Sequence, residues 1–595
     1  MSLVLLLLLI ALGICLLPIW LLPRRNLQRA REYLITSQPT PPDVVRNSCV
    51  AYPLRIAAFG PLFVWGASGD LWPAIISAAC FGSGVYLIYA LRCPLLAFLD
   101  SALDGNASMT VPAFIAKRHG NDGRVQLLTA GLTLAALTGL ITAEAFATAT
   151  LAGPVMMESA RSVYLLASGM LVLTVLYTVF AGNSGVMHSV QLQVGIIYLA
   201  LFGSTALLLY FLVSDVTTMP PHGSFAILFI AAACVLILFY RRFKYVDNTP
   251  IGKTNGPSVN VGVRPSWVSR LLRRLEKALD TFISVFVILA IVLIVMELSF
   301  FGITALAHDS IVALQTGTGL GGTALLTIVL VPLLYPIVDV ATWQRLAAVA
   351  KDTGSEPDLR SATLARIFNW LAPEVMLLLL LMCMFGAIAA VATETPADRD
   401  VLQMFIRQLA LDDSLPASLA MSFLLVGMFA MALSAMSSMF SASLWILRYD
   451  MLPALWPERI KPGDEAIARR HTILVGCGFC IAAVLLVAVA DTLLGMSFTS
   501  GTFLAVLIAC WCAQLSFVPL VLAPIAPSGR GMGAVSAPWA LVIIGVAAAS
   551  GIAAVIVYLA TGAEPWLWAA VPACLGSGLV LFAVARLCRG QTADG

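Results

Sequence analysis

The sequence is dominated by long apolar runs, each close to the length that crosses a lipid bilayer. Fifteen runs of about 20 mostly apolar residues fit membrane-spanning helices. They are centred on residues 2–22, 48–69, 72–92, 125–152, 162–182, 185–214, 223–240, 278–306, 319–341, 366–393, 416–447, 471–491, 497–523, 537–561 and 565–586. Only 11% of the 595 residues are charged, against about 25% in soluble proteins. We therefore predict an all-α integral membrane protein with about 15 transmembrane helices, numbered below as spans 1–15.

The distribution of basic residues predicts the orientation of these spans. Cytoplasmic segments of membrane proteins carry an excess of lysine and arginine. If residue 1 lies outside and each span reverses the side, about 30 of the 34 basic residues fall inside. Arg161, Arg399 and Arg407 fall outside, and Arg55 falls within a span. We predict a plasma-membrane protein (inner membrane in a bacterium) with its N-terminus outside and its C-terminus in the cytoplasm.

Residues 241–277 form the one sizeable polar insertion between spans. A stretch rich in proline, glycine and asparagine, 248–257, leads into a short basic segment, 267–277. We predict that the basic segment lies on anionic lipid headgroups; docking of a cytoplasmic partner is the alternative. The net charge of +3 gives no reason to expect a nucleic-acid partner.

Four polar motifs follow one another along the chain. They are TVPAFIAKRHG at 110–120, YTVFAGNSGVMHSVQLQ at 177–193, DVATWQRLA at 339–347 and SAMSSMFSASLWILRYD at 434–450. Together they resemble the motifs of the sodium:solute symporter family, which includes the proline, pantothenate and sugar symporters. Each motif falls on the side of the membrane that the charge distribution predicts, and the resemblance covers about residues 1–525.

This resemblance implies a core of two inverted five-helix repeats of the leucine-transporter type. The predicted divisions are a leading helix (1–22), a first repeat of spans 2–6 (48–214), an inserted hairpin with the basic loop (215–306), a second repeat of spans 9–13 (319–523), and two C-terminal spans with a short tail (524–595). In such folds the first helix of each repeat is broken near mid-membrane, where backbone groups are free to bind ligand and ion. Candidate breakers are Pro53, Gly60 and Pro61 in span 2, and Pro332 and Pro336 in span 9, although lipid-facing helices also tolerate proline.

Polar and ionisable side chains within the spans are candidates for a binding site, because a charge in a bilayer costs at least ~2.5–3.5 kcal/mol. The candidates for substrate binding or gating are Arg55, Glu144, Tyr335, Asp339, Gln344 and Arg345. The alternatives are packing roles for Glu144 and Asp339 and a cytoplasmic anchor for Arg345. Glu374, after Pro373, is expected to be a first-turn carboxylate at the cytoplasmic edge of span 10.

The resemblance also implies a sodium ion held between the first core helix and the serine-rich helix, by oxygen ligands that suit a hard cation. The candidate ligands are Ala57, Ala58, Gly60, Ser189, Ser434, Ser437 and Ser438. The sequence departs from the family pattern, since Ala435 stands where a second hydroxyl is expected and Val190 where an aspartate is. A competing hypothesis places the Arg55 guanidinium in the cation site, donating to Ser434; the alternative is an arginine that snorkels to the interface.

We predict a secondary active transporter that moves a small polar organic solute by alternating access, with Arg55, Asp339 and Ser434 meeting in a wet cavity at the breaks. The coupling ion is left open between sodium, a proton and none, and no other cofactor is expected. The alternative is a transporter-like sensor or complex subunit that binds a solute without moving it. An enzyme is not expected, because no segment able to form a site carries a nucleophile–base pair or a metal cluster. Glu144 and Asp339 favour a cationic or hydroxyl-rich solute over an anion, unless Arg55 neutralises them.

Overall fold

A computed structural model describes eleven of the fifteen predicted spans in whole or in large part. The described residues are 42–68, 72–92, 110–156, 160–214, 322–352, 357–393, 401–412, 414–455, 500–523 and 534–593, with a few isolated positions elsewhere. Predicted spans 7 and 8 and the basic loop 241–277 lie outside the described residues, as does span 1 except for Gly13. Of span 12, the structure describes residues 474–478, 481–482 and 484–485.

Every regular element among the described residues is a helix. In chain order they are α1 (Pro42–Ala51), α2 (Ile56–Ala67), α3 (Trp72–Ala90), α4 (Val111–Arg118), α5 (Gly123–Met156), α6 (Ala160–Ser214), α7 (Gly322–Val338), α8 (Val340–Asp352), α9 (Pro357–Thr393), α10 (Val401–Leu411), α11 (Leu415–Ile446), α12 (Ser500–Leu515), α13 (Val518–Leu522), α14 (Ala537–Thr561) and α15 (Glu564–Ala593). After α11 the chain continues through a π-helical turn, Leu447–Met451, into a short helix, Leu452–Leu455.

Eight helical segments in the described part of the chain are long and apolar enough to cross a membrane, and two bent pairs raise the number to ten. A shorter apolar segment, Val163–Val179, corresponds to predicted span 5. It is continuous with span 6 in α6, and the two are separated by a kink at Gly182, whose φ of 61° favours glycine. The all-helical membrane fold is confirmed, whereas the number of fifteen spans stays a prediction.

Short polar caps begin two of the helices that flank the spans. The Thr110 hydroxyl accepts the N–H of Ala113 at 3.2 Å at the start of α4. The Ser414 hydroxyl does the same for Ala417 at 3.3 Å at the start of α11. Proline occupies an early position in both helices, where its missing N–H costs no helical hydrogen bond.

The helices of the two predicted repeats pack reciprocally. The second half of span 2, α2, packs against α9 of span 10, and the first half of span 9, α7, packs against α3 of span 3. Both contacts need glycine: a Cβ at Gly66 of α2 would overlap the Cys383 carbonyl of α9, and one at Gly84 of α3 would lie 2.5 Å from the Leu333 carbonyl of α7. Likewise α11 packs against α6, and α5 packs against α12. Spans of one predicted repeat thus pack on spans of the other, while the domain boundaries stay a prediction.

A candidate solute site at two helix breaks

The first break lies in span 2, between α1 and α2, whose axes are bent by 55°. Residues 52–55 separate the two helices, and Arg55 stands at the start of α2 with extended backbone and no capping bond from its own side chain. The cap comes from α5 instead: the Glu144 carboxylate accepts the N–H groups of Ile56 at 3.0 Å and Ala57 at 3.2 Å. Glu144 is fully buried, so it satisfies two backbone donors that have no helical partner and places negative charge at the positive end of α2.

The second break lies in span 9, between α7 and α8, which are bent by 46° with Asp339 alone between them. The Asp339 carboxylate accepts both the N–H of Thr342 at 2.8 Å and its hydroxyl at 2.6 Å. Asp339 is therefore a local N-cap of α8. Pro332 and Pro336 lie within α7 rather than at the break, and Gly60 and Pro61 lie within α2. Among the five candidate breakers, Pro53 alone lies in a break, because apolar helices in a packed bundle tolerate proline.

A buried tyrosine joins the two breaks. The Tyr52 hydroxyl donates to Asp339 at 2.8 Å and lies 3.3 Å from the hydroxyl of Tyr335. The Arg55 guanidinium lies 5.4 Å from the ring centroids of both tyrosines, a distance at which a cation is attracted to the aromatic face. The structure thus brings Arg55, Tyr335 and Asp339 together and adds Tyr52, which the sequence analysis missed. Its position next to Pro53 was the available signal. The predicted meeting of Arg55, Asp339 and Ser434 in a wet cavity is not seen, because none of the three lines the cavity of about 560 Å³ described below.

Arg345 links three helices beneath this cluster. Its Nε donates to the Ser48 hydroxyl of α1 at 2.8 Å, and its Nη2 donates to the Ser438 hydroxyl of α11 at 3.1 Å. Its guanidinium lies 4.6 Å from the centroid of the Tyr52 ring. The neighbouring Gln344 donates more weakly, at 3.4 Å, to the carbonyl of Ser441. Arg345 is buried among these partners, which does not fit the alternative of an anchor exposed at the cytoplasmic interface.

Ser434 is not hydrogen-bonded to Arg55. Its hydroxyl is buried and has no hydrogen-bond partner among the described residues, and the same holds for Nη1 of Arg55. The arginine that reaches the serine-rich helix is Arg345. Arg55 is 6% exposed and lies against the break rather than extending to the interface, so the snorkelling alternative does not describe it either.

The predicted ion ligands differ in how far their oxygens are already engaged. The hydroxyls of Ser189 and Ser437 donate to carbonyls of their own helices at 2.9 and 3.2 Å. Ala58 and Gly60 lie in regular helix, where each carbonyl accepts the N–H four residues later. The Ala57 carbonyl lacks that donor because the fourth residue on is Pro61. A hydroxyl that donates keeps its two lone pairs, so these bonds leave Ser189 and Ser437 able to bind a cation. The Ser434 hydroxyl and the Ala57 carbonyl are the candidates that lack a hydrogen-bond partner altogether among the described residues.

Two further buried contacts close the side of the molecule that the charge distribution predicts to be cytoplasmic. Arg46 of α1 forms an ion pair with Glu374 of α9, which also accepts the Tyr198 hydroxyl of α6 at 2.5 Å. Gln126 of α5 donates to Asp450 at 2.8 Å. The expectation for Glu374 was wrong: α9 begins at Pro357, so Glu374 lies in mid-helix, 2% exposed, rather than in a first turn.

A cavity of about 560 Å³ opens on the opposite side of the breaks. Side chains from eight helices line it, from Ile56 and Gly60 at the start of α2 to Trp568 in α15. On the other side, a second cavity of about 30 Å³ lies around Tyr52, Pro53 and Arg345. Among the described residues, the larger cavity therefore lies on the predicted extracellular side of the breaks and the smaller one on the predicted cytoplasmic side. The cavity's tryptophans were missed by the sequence analysis, because nothing in the motifs points to them.

The fold can now be compared with known proteins. It is similar to that of a Na⁺-coupled sialic acid symporter solved in a substrate-bound, outward-open state, with a TM-score of 0.57 over 98% of this chain and 97% of that chain. The chain shares the fold of that protein. The identity is 14%, so the likeness concerns the fold alone. No protein-family model matches the chain, and no curated protein sequence is significantly similar to it. Membership of the sodium:solute symporter family therefore stays a prediction from the four motifs.

Proposed function

We propose that the protein is a secondary transporter that moves a small organic solute across the plasma membrane by alternating access. The observation that carries the proposal is the pair of broken spans, which meet through Tyr52 and Asp339 beside a cavity that opens to one side. Broken helices supply both the free backbone groups that bind a ligand and the bends that allow half-helices to move.

In this proposal, opening to the cytoplasm requires the contacts on that side to separate. They are the Arg46–Glu374 pair and the bridge from Arg345 to Ser48 and Ser438. Both involve α1, the half of span 2 on the closed side of the break. Solute binding at the other half, α2, would then bias whether α1 stays docked, because a ligand shifts an equilibrium by its differential affinity for the two states.

We further propose sodium as the coupling ion, bound between the Ala57 carbonyl and the Ser434 hydroxyl. The similarity to a Na⁺-coupled symporter fold and the unengaged oxygens of these two residues support this assignment. The N-terminus is proposed to lie outside and the C-terminus inside, with the basic loop 241–277 on anionic lipid.

The test uses purified protein reconstituted in liposomes. A thermal-shift screen with a metabolite panel, run in sodium and in potassium salts, identifies a ligand, because binding to the folded state raises the melting temperature. Uptake of that ligand, driven by an inward sodium gradient and reduced at least about tenfold in Ser434→Ala, is the expected result. Stabilisation without uptake in either salt would instead assign the protein as a solute sensor. Equal uptake in both salts would refute sodium coupling and leave transport intact.

A further inference from the structure

The cavity has an aromatic lining. Its volume of about 560 Å³ lies within the range of about 300–1,000 Å³ typical of small-molecule sites. Aromatic rings line it from several sides: Trp65 of α2, Phe503 and Trp511 of α12, Tyr558 of α14 and Trp568 of α15. Between them lie apolar side chains and a few uncharged polar ones such as Ser77, Thr150 and Gln403. Such a surface accommodates a ligand with an apolar body.

The charges of the cavity favour one sign of ligand. The described lining includes one carboxylate, Glu564, and no lysine, arginine or histidine. An anion that entered would lose water without gaining a basic partner, which is costly. A cation would instead meet the negative faces of tryptophan and tyrosine rings and the Glu564 charge. The charges of Arg55, Glu144 and Asp339 do not enter this argument, because none of these residues lines the cavity.

The C-terminal hairpin α14–α15 lies outside both predicted repeats, yet it supplies Tyr558, Glu564 and Trp568 to the wall. It is tied to the second broken span, since the Thr327 hydroxyl of α7 donates to the Trp568 carbonyl at 2.8 Å. A ligand held against Trp568 is therefore in contact with an element that is fastened to α7, one half of a broken helix.

We propose that this cavity binds an organic cation with an apolar body, and that the hairpin α14–α15 forms part of the binding surface. The inference rests on the proposed transport function and assigns its substrate class. It separates this protein from a transporter of an anionic sugar, whose carboxylate would need a basic partner that the described lining does not offer.

The first test is isothermal titration calorimetry with three probes that share a phenyl ring and differ in charge: phenethylammonium, 2-phenylethanol and 3-phenylpropionate. Phenethylammonium is expected to bind at least about tenfold more tightly than the alcohol, and the carboxylate most weakly. Equal affinities, or tightest binding of the carboxylate, would overturn the proposed substrate class.

The second test locates the site with variants whose melting temperatures are measured first. Trp568→Leu is expected to weaken phenethylammonium binding about tenfold. The matched control, Trp566→Leu, removes a tryptophan two residues away that is 50% exposed and does not line the cavity, and should bind normally. Glu564→Gln should weaken binding of the ammonium and leave that of the alcohol unchanged. Wild-type ammonium affinity in both Trp568→Leu and Glu564→Gln would overturn the role of the hairpin.

The two proposals can fail separately. Tight ammonium binding without uptake into liposomes would retain the ligand class and refute transport. Gradient-driven uptake of an anion, with no binding of phenethylammonium, would retain transport and refute the ligand class.

Discussion

At both helix breaks, the helix that follows begins with backbone N–H groups that need a hydrogen-bond partner. The two breaks supply this partner from different places. At the first, α2 is capped from a distance by Glu144, which lies on another span 88 residues away in sequence. At the second, α8 is capped by Asp339, the residue of the break itself, through Thr342 three positions on. The first break spans four residues and includes a buried arginine, whereas the second takes a single residue.

The cap at the second break is local to the sequence around it, whereas the cap at the first break depends on how the helices pack. The cap of α8 is complete once Asp339 and Thr342 are folded, whatever surrounds them. The cap of α2 exists only while α5 is packed against it, so any movement of α5 relative to α2 exposes two backbone donors. We expect the first break to be the one whose geometry responds to changes elsewhere in the molecule.

Removing the distant cap should have the largest effect. Glu144→Ala leaves the N–H groups of Ile56 and Ala57 buried without partners and removes an anion near Arg55, which we expect to cost on the order of 3 kcal/mol. The check is thermal unfolding in detergent. Glu144→Gln, which retains an acceptor, should lose about 1 kcal/mol. Equal melting temperatures for the alanine variant and the wild type would show that the first break does not need α5.

Removing the local cap should cost less. Asp339→Ala deletes an N-cap, typically worth about 1 kcal/mol, together with the bond from Tyr52. Asp339→Asn should recover much of the loss, because asparagine is also a good N-cap. Both are measured by the same unfolding assay. A larger loss for Asp339→Ala than for Glu144→Ala would invert the ranking of the two breaks.

The link between the breaks can be measured by a double-mutant cycle. Tyr52→Phe removes the hydroxyl bonded to Asp339 and should cost about 1 kcal/mol. Combined with Asp339→Asn it should be non-additive, whereas combined with Glu144→Gln it should be closer to additive. Tyr335→Phe is the matched control, since its hydroxyl is 3.3 Å from Tyr52 and has the weaker contact. Full additivity in the first pair would mean that Tyr52 does not couple the breaks.

The smallest effect concerns a third inter-helix contact, which touches neither break. Nδ1 of His119, next to α4, accepts the Val535 N–H at 3.0 Å, and Nε2 lies 3.0 Å from the Leu520 carbonyl. Burial, assisted by the nearby Arg118 charge, lowers the pKa of His119 below its ordinary 6.5, so the folded state favours the neutral ring.

The unfolded chain therefore binds the proton more readily, and stability should fall as the pH drops below about 6.5 and level off below the lowered pKa. The expected loss is the smallest of the predicted effects. His119→Gln should flatten the pH profile of the melting temperature between pH 7 and 5, with no change in the Tyr52–Asp339 coupling. An unchanged profile would show that His119 does not carry this dependence.

Much of the fold could be predicted from the sequence, because a bilayer leaves few structures for long apolar runs. The eleven described spans all coincide with predicted ones. The position of the second break could not be read from proline content, because Pro336 remains helical and the chain bends at Asp339, whose side chain can cap a new helix. A capping residue was the better signal.

The candidate site was predictable in part. The cost of burying a charge pointed to Arg55, Glu144 and Asp339 among other ionisable residues of the spans, and the structure places these three at the breaks. The hydrogen-bond partners of the site residues were not predictable, because they lie far away in the sequence. Glu144 binds Ile56, Asp339 binds Tyr52, and Arg345 binds Ser48. The predicted approach of Arg55 to Ser434 was wrong for the same reason, since spacing within one helix does not give the rotation of another.

The glycine contacts described above restrict how such a molecule can change shape. With the Gly66 backbone pressed against Cys383 and the Gly84 backbone against Leu333, α2 cannot slide past α9, nor α3 past α7. Since α3 also packs on α9, these four helices behave as one stiff block. Any rearrangement that exposes the cavity to the other face is therefore expected at the contacts of this block with α5, α6 and α11. A bulky residue at Gly66 or Gly84 would wedge the block apart and leave those contacts untouched.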